Sequence, residues 1–440
     1  MRYGAILRWS RDYGNLLTWH GVFNAPRLLV TDPELVKQIL VVRAYDFVKP
    51  RYLSQFIVPV IGEGLIVAEG ATHRFQRKML NPAFSVHALR QMVPLMAKPA
   101  WSLRDKWIQA IDADPTGAPA INVSATLSAV TLDIIALAGF GEDFQLIADS
   151  TNHRLSQAYK DVSLGDQLIH RILRVLFPIY GRFPNRGARQ IEHAIQTLDE
   201  ETSAIVRKNM AEPNGDNMLT RMIHEVDPDT GRQMSMKELQ AQCLTFMAAG
   251  HETIATALTW CLWLLAKHQD VQTVLREEIK TLLKNDGDIP SYEELNQLHL
   301  LNNVCKETLR LIPPVPVTYR VACEELTLRD RVVPKGTLIV LSPLASHLSS
   351  KFWGEDVDQF KPSRWDELPA KNVSPYVYMP FLAGPHQCIG NKFALIEMKM
   401  ILCTLIKDFC FTEKPGFRFK RQHVLVTRPS PNMTLIVQRV

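Results

Sequence analysis

Phe381 to Gly390 reads FLAGPHQCIG, one cysteine between two glycines, and the run NKFALIEMKMILCTLIKDF follows it directly. A cysteine in apolar sequence is usually a small buried hydrophobe. The other six, Cys243, Cys261, Cys305, Cys323, Cys403 and Cys410, fit that description. Cys388 differs because Gly384-Pro385 and Gly390 allow a tight loop with exposed backbone N–H groups. The helix predicted to begin near Asn391 also directs its positive end toward the sulfur. Both effects favour the thiolate, which is the metal-binding form.

Zinc is poorly served, since no second cysteine or histidine stands at ligand spacing, His386 lies two residues away and no CxxC occurs. A nucleophilic cysteine lacks an obvious paired base, although His386 keeps that option open. A single protein ligand for a metal already held by four other atoms points to haem.

Outward from this loop, the 440 residues are 46% hydrophobic, enough for a large core, and the net charge of +5 comes from 50 basic and 45 acidic residues intermixed. No basic stripe suggests a nucleic-acid partner. Seven cysteines, odd in number and mostly in apolar runs, argue for reduced thiols and a cytosol-facing protein. The glycosylation-like tripeptides at Asn122, Asn372 and Asn432 are read as chance matches. The start, MRYGAILRWSRDYGNLL, has neither a signal peptide nor an apolar run near 20 residues, so no transmembrane anchor is expected.

Leu16 to Val30 reads as a hairpin broken by NAPR, and TDPELVKQIL as a helix with Asp32 or Thr31 as its cap and Glu34 in a capping box. From Gly70 to about Leu311 the pattern is helical, with further capping boxes at Ser235/Glu238 and Ser291/Glu294. After IPPVP come short strands and turns, as in ELTLRDRVVPKGTLIVL, where alternation and PKG suggest paired strands. No repeat or linker divides the chain, so one mostly α domain with a small β portion over residues 1–440 is expected. Ala241 to His268 is long and apolar enough to cross a bilayer. His251 and Glu252 near its middle, where a charge in lipid costs at least about 2.5 kcal/mol, favour a buried helix instead.

The spacing Phe381-x-x-Gly384-x-x-x-Cys388-x-Gly390 resembles the haem-binding loop of the cytochrome P450 family, whose cysteine thiolate is the proximal iron ligand. Three further patterns in the family's order extend the resemblance over nearly the whole chain. Ala249-Gly250-His251-Glu252-Thr253 is similar to the oxygen-activating segment, which implies small residues at the cofactor, Thr253 hydrogen-bonding dioxygen and Glu252 relaying protons. Glu307-x-x-Arg310 with Arg364 resembles the structural Glu-Arg-Arg set. His73-x-x-x-Arg77, Arg320 and His386 are implied to hold the haem propionates. Many members carry Trp where His73 stands and Arg where His386 stands. The resemblance also implies a cytochrome P450 fold, with haem b between a long central helix and the cysteine loop.

It implies an apolar distal pocket of Phe56, Ile57, Val60, Leu65, Ile66, Phe246, Met247, Ala249, Val315, Val317, Thr318 and Val424, suited to a lipophilic small molecule. The expected activity is haem-dependent insertion of one atom of O2, with a haem-thiolate isomerase or peroxygenase, or a non-catalytic sensor, as alternatives. GxGxxG is absent, so electrons are expected from a separate NADPH-dependent flavoprotein reductase, with Lys78 and Lys392 on its docking face. A monomer with at most peripheral contact to the endoplasmic reticulum is expected. The wording around HRFQRKMLNPAFS and AAGHET resembles fungal members, which oxidise terpenoids, fatty acids or aromatic metabolites.

Overall fold

The computed structural model describes residues 2–21, 24–149, 153–163, 186–212, 215–367, 373–423 and 426–440. Asn372 and Val424 lie outside them. Helix dominates and the strands are short, so the fold is mostly α with a small β portion. Two compact units are distinguished, one of Met1–Pro50, Met96–Thr131 and Glu252–Val440, the other of Arg51–Leu95 and Leu132–His251.

 Among the described residues the strands all fall in the first unit, and the second is helical.

In the first unit β1 (Leu16–His20) and β2 (Pro26–Val30) form an antiparallel hairpin with Leu16 opposite Val30. Asp32, not Thr31, caps the next helix, Pro33–Lys37: its Oδ1 accepts the N–H groups of Glu34 at 3.1 Å and Leu35 at 3.2 Å. The Thr31 hydroxyl turns to Asn15 instead. The other strands are β3 (Phe47–Val48), β4 (Ala120–Asn122), β5 (Thr318–Ala322), β6 (Leu326–Leu328), β7 (Arg331–Val333), β8 (Leu338–Leu341), β9 (Phe409–Glu413), β10 (Lys420–His423), β11 (Thr427–Ser430) and β12 (Thr434–Arg439). One sheet has the order β1-β2-β8-β5-β3, another β4-β12-β9, and β6-β7 and β10-β11 are separate hairpins.

The segment read as paired strands does contain a pair, with its turn before PKG. Its hairpin, β6-β7, reverses at Arg329, which adopts φ 55°, and PKG carries the chain on to β8 in the five-stranded sheet. Burial decides this: β8 pairs on both sides, parallel to β2 and antiparallel to β5, and Ile339, Val340 and Leu341 are buried.

Leu28, Val30, Phe47, Ile339 and Leu341 of this sheet pack with Leu35, Ile39 and Leu40 in one core, which also takes in Met379 and Ala383 from the cysteine segment. Each such side chain contributes roughly 1.5–3 kcal/mol when fully buried. The chain leading to Cys388 is therefore held by apolar burial as well as by its turns.

The second unit contains the helices Arg51–Ile61, Gly70–Leu80, Arg154–Ser163, Arg186–Ala211 and Met218–His224. It also holds parts of Val86–Ala113, Val123–Phe140 and Met236–Lys267, whose remaining turns belong to the first. Buried Asp133 accepts the N–H groups of Leu146 at 2.9 Å and Ile147 at 3.1 Å, and burial pushes its carboxyl up to about 6. Ser235 and Glu238 exchange backbone hydrogen bonds before the long helix Met236–Lys267, and Ser291 and Glu294 form the other expected capping box. Lys78, expected on a docking face, is instead paired with Asp227 and Asp229 within this unit. Among the described residues, Val123–Phe140 is the one helix long and apolar enough to cross a membrane by length and composition, and 67% of it is buried.

Candidate active site

The cysteine loop is built from local backbone bonds. Leu382 N–H donates to Met379 O at 3.0 Å, Gln387 N–H to Gly384 O at 3.0 Å, and Cys388 N–H to Phe381 O at 2.9 Å. Gly384 has φ +72°, and a Cβ there would lie 2.0 Å from the carbonyl oxygen of Leu40, so no side chain fits. The helix Asn391–Asp408 starts at Gly390 without a side-chain cap. Its first N–H groups and positive end face the loop.

Cys388 is exposed, whereas Cys243, Cys261, Cys305 and Cys403 are buried as expected; Cys323, expected to be buried, is exposed as well, and Cys410 is intermediate. Burial pushes the thiols of Cys243 and Cys305 up to about 12 and raises those of Cys261 and Cys403 as well. An accessible soft donor at an uncapped helix start suits thiolate ligation of haem iron, so the residues present fit that group. Phe381 is half-buried, and the His386 ring centre lies 5.4 Å from that of Tyr45.

Glu307, Arg310 and Arg364 are brought together in full burial. Arg310 donates Nε to Glu307 Oε2 and Nη2 to Oε1, both at 2.8 Å. Arg364 Nε (3.3 Å), Trp365 Nε1 (3.1 Å) and Lys361 N–H (3.1 Å) complete the carboxylate's shell. Arg310 Nη1 also donates to the carbonyls of His347 at 3.0 Å and Val357 at 2.6 Å, and Arg364 Nη1 to Asp356 Oδ1 at 2.7 Å. The guanidiniums thus pin the chain between residues 347 and 364 to the helix His299–Leu311.

The long helix contributes Glu252 and Thr253 to the same unit. Both are half-buried within an otherwise buried stretch. Glu252 Oε1 lies 3.4 Å from Arg428 Nη1 on β11, and farther along the helix Trp260 Nε1 donates to Thr427 O at 2.6 Å. Arg320, on β5 and almost fully buried, donates to Thr318 Oγ1 at 3.2 Å and to Tyr319 O at 2.8 Å.

The remaining candidates belong to the second unit. Ala249 and Gly250 are half-buried, and a Cβ on Gly250 would meet Ile135 Cγ1 at 3.2 Å, a close approach between the two helices. His251 Nδ1 bonds Met247 O at 2.7 Å, one turn back in its own helix. His73 is buried, and Arg77 Nε donates to Asn81 Oδ1 at 3.1 Å.

Among the distal-pocket candidates, Phe56, Ile57 and Val60 share the helix Arg51–Ile61, with Ile57 and Val60 half-buried. Leu65 N–H donates to Gln242 Oε1 at 3.0 Å while Ile66 is exposed. Phe246 packs edge-on to Phe84 with ring centres 5.3 Å apart, and Met247 is buried. In the first unit Val315 is exposed, Thr318 half-buried, and Val317 packed in a core cluster with Ile6, Leu29 and Val340.

Two buried ionisable residues carry no sequence signal of their own. His347 joins the network through both its carbonyl and its ring. Glu397, in the helix Asn391–Asp408, is fully buried, and neither carboxylate oxygen has a hydrogen-bond partner among the described residues. Burial alone holds its carboxyl well above the ordinary 4.5. The acid is therefore neutral when folded and ionises more readily when unfolded. Stability is highest below the unfolded pKa and falls as pH rises toward the folded one, by at most about 1.4 kcal/mol per pH unit. Glu397→Gln is expected to flatten this loss, measured by denaturant melts from about pH 5 to about pH 8.

Comparison with known proteins adds an independent line. The profile of the family described as Cytochrome P450 matches residues 2–436. Cytochrome P450 monooxygenase sphH of Aspergillus fumigatus is 35% identical over 436 residues, covering 94% of this chain and 79% of that protein. Cytochrome P450 monooxygenase 128 of Postia placenta is 32% identical, covering 96% and 84%, and a cytokinin hydroxylase of Arabidopsis thaliana is 31% identical, covering 98% and 82%. With an accessible loop cysteine and a family match from end to end, this chain belongs to the cytochrome P450 family of haem-iron monooxygenases.

Proposed function

We propose that this enzyme inserts one atom of O2 into a lipophilic small molecule, with electrons from a separate NADPH-dependent flavoprotein reductase and with residues 1–440 acting as one catalytic domain. The observation that carries the reading is Cys388, exposed at an uncapped helix start in a loop whose supporting chain is tied to buried Glu307, Arg310 and Arg364. When bound, haem supplies the redox-active iron at which O2 is activated.

The chain's own residues do the rest. Cys388 would hold the metal as thiolate, with Phe381 shielding the sulfur and the backbone N–H groups of the glycine-rich turn stabilising its charge. Arg77 and Arg320 would hold the propionates by pairing cationic donors with carboxylates, with His73 and His386 as further hydrogen-bond donors. Thr253 presents a hydroxyl proton at the reacting side, and Glu252 passes protons from solvent toward it; the partly exposed pairing with Arg428 keeps that carboxylate accessible to water. The apolar character of Ile57, Val60, Leu65 and Val315 supports a lipophilic substrate, and exposed Lys392 supports electrostatic docking of a reductase.

The test is the reduced, carbon-monoxide-bound spectrum followed by NADPH consumption with added reductase. Absence of a thiolate-type band would overturn the assignment of Cys388, and a band without reductase-dependent turnover would overturn the monooxygenase reaction.

A further inference from the structure

We infer that His347 is a positioning residue for Cys388, acting as the hydrogen-bond relay that carries the register of the Glu307–Arg310 pair into the cysteine segment. The inference rests on Cys388 being the metal ligand. Its basis is a continuous run of bonds within one unit. Arg310, fixed by Glu307, donates Nη1 to the carbonyl oxygen of His347 at 3.0 Å. The ring of the same histidine accepts Met379 N–H on Nε2 at 3.0 Å. Met379 O then accepts Leu382 N–H, and Phe381 O accepts Cys388 N–H.

Each joint in this run is buried or locally closed. His347 and Arg310 are both fully buried and Met379 almost so. Water therefore has little opportunity to replace a lost bond, and an unmatched buried N–H costs about 1–3 kcal/mol. An acceptor at Nε2 requires neutral imidazole, and burial, helped by the charge of Arg310, pushes the ring down to about 3. The proton then sits on Nδ1, and the ring keeps one fixed tautomer. Tyr378, next to Met379, lies against the His347 ring at 5.3 Å between centres, and its hydroxyl donates to Lys306 O at 3.1 Å. The cysteine segment is thus attached to the helix His299–Leu311 at two successive residues, once through His347 and once directly.

A second acid-base role for this histidine does not fit the arrangement. A fully buried ring whose Nε2 is occupied by a backbone N–H has no route to exchange protons with solvent. What it offers is a rigid acceptor at a set distance from Arg310.

The test compares haem-loaded full-length variants by the proportion of thiolate-type to non-thiolate band in the reduced carbon-monoxide complex, with the haem reduction potential as a second readout. His347→Leu removes the acceptor while keeping apolar volume, and His347→Asn retains a polar side chain too short to reach Met379 N–H. Both are expected to lower that proportion by about tenfold, the equivalent of about 1.4 kcal/mol. His347→Gln, which restores an acceptor oxygen near the Nε2 position, is expected to keep it. Trp353→Phe serves as the stability control: it deletes the neighbouring bond from Trp353 Nε1 to Ser346 O and is expected to lower Tm without altering the band.

A wild-type proportion in His347→Asn and His347→Leu overturns the inference, as does an equal loss in His347→Gln or in Trp353→Phe. If His347→Leu yields no folded protein, the contrast between Asn and Gln decides. A wild-type enzyme with no thiolate-type band, or one whose band survives Cys388→Ser, refutes the ligand assignment instead and is read separately.

Discussion

Cys388→Ser is expected to abolish the thiolate-type spectrum and the reductase-dependent turnover together, both to background. The serine hydroxyl is a hard, weakly acidic donor that cannot replace a thiolate at iron. The loop itself tolerates the change, because its backbone bonds to Phe381 and Gly384 do not involve the sulfur. The informative comparison is Cys403→Ser. Cys403 is fully buried, so the exchange places a hydroxyl in apolar surroundings, at a cost of about 1–3 kcal/mol if it stays unpaired, and the spectrum is retained. Spectra and thermal melts of the two variants should therefore change in opposite columns: chemistry lost with stability kept at Cys388, and stability lost with chemistry kept at Cys403.

Glu307→Ala is the second large effect. The carboxylate is the shared acceptor for Arg310, Arg364, Trp365 and the Lys361 N–H, and its removal leaves the fully buried Arg310 without its counter-charge and Arg364 with Asp356 alone. Breaking a buried pair in this way costs about 3–5 kcal/mol, a large part of the stability of most domains. The strain falls on the segment from residue 347 to 364 and, through Met379, on the cysteine loop. The expected result is protein with little or no haem, read as the ratio of haem to protein absorbance. A variant that retains full haem and the thiolate-type band would falsify the supporting role given to this network.

Much of this was legible in the sequence because the relevant signals are local. The hairpin at Leu16–Val30, the boxes at Ser235 and Ser291, and the helix after Gly390 depend on neighbours within a few residues, and the structure contains them. Other readings depended on where distant chain segments come to lie. Lys78 looked like an available surface charge until Asp227 and Asp229, far along the chain, paired with it. Gly250 reads as small for the sake of a flat cofactor, and only the folded chain shows that Ile135 also packs close to it. PKG suggests paired strands, and burial of Ile339 to Leu341 draws the strand that follows it into a larger sheet. His347 had no motif at all, since its importance lies in a carbonyl and a ring nitrogen meeting partners 37 and 32 residues away. The distal-pocket candidates came from the resemblance, and their shared apolarity does not separate Val317, which is in a core cluster, from Val315, which is exposed.

The uneven accessibility of the seven thiols has a practical corollary for following cofactor loading. Cys323 and Cys388 are exposed, Cys410 is intermediate and the other four are buried. In the cofactor-free polypeptide a brief alkylation pulse should modify Cys323 and Cys388 first. Once haem is ligated by Cys388, the same pulse should spare that sulfur while Cys323 continues to react. The ratio of the two adducts by peptide mass spectrometry then reports fractional occupancy, with Cys323 acting as an internal dosimeter that needs no spectrum.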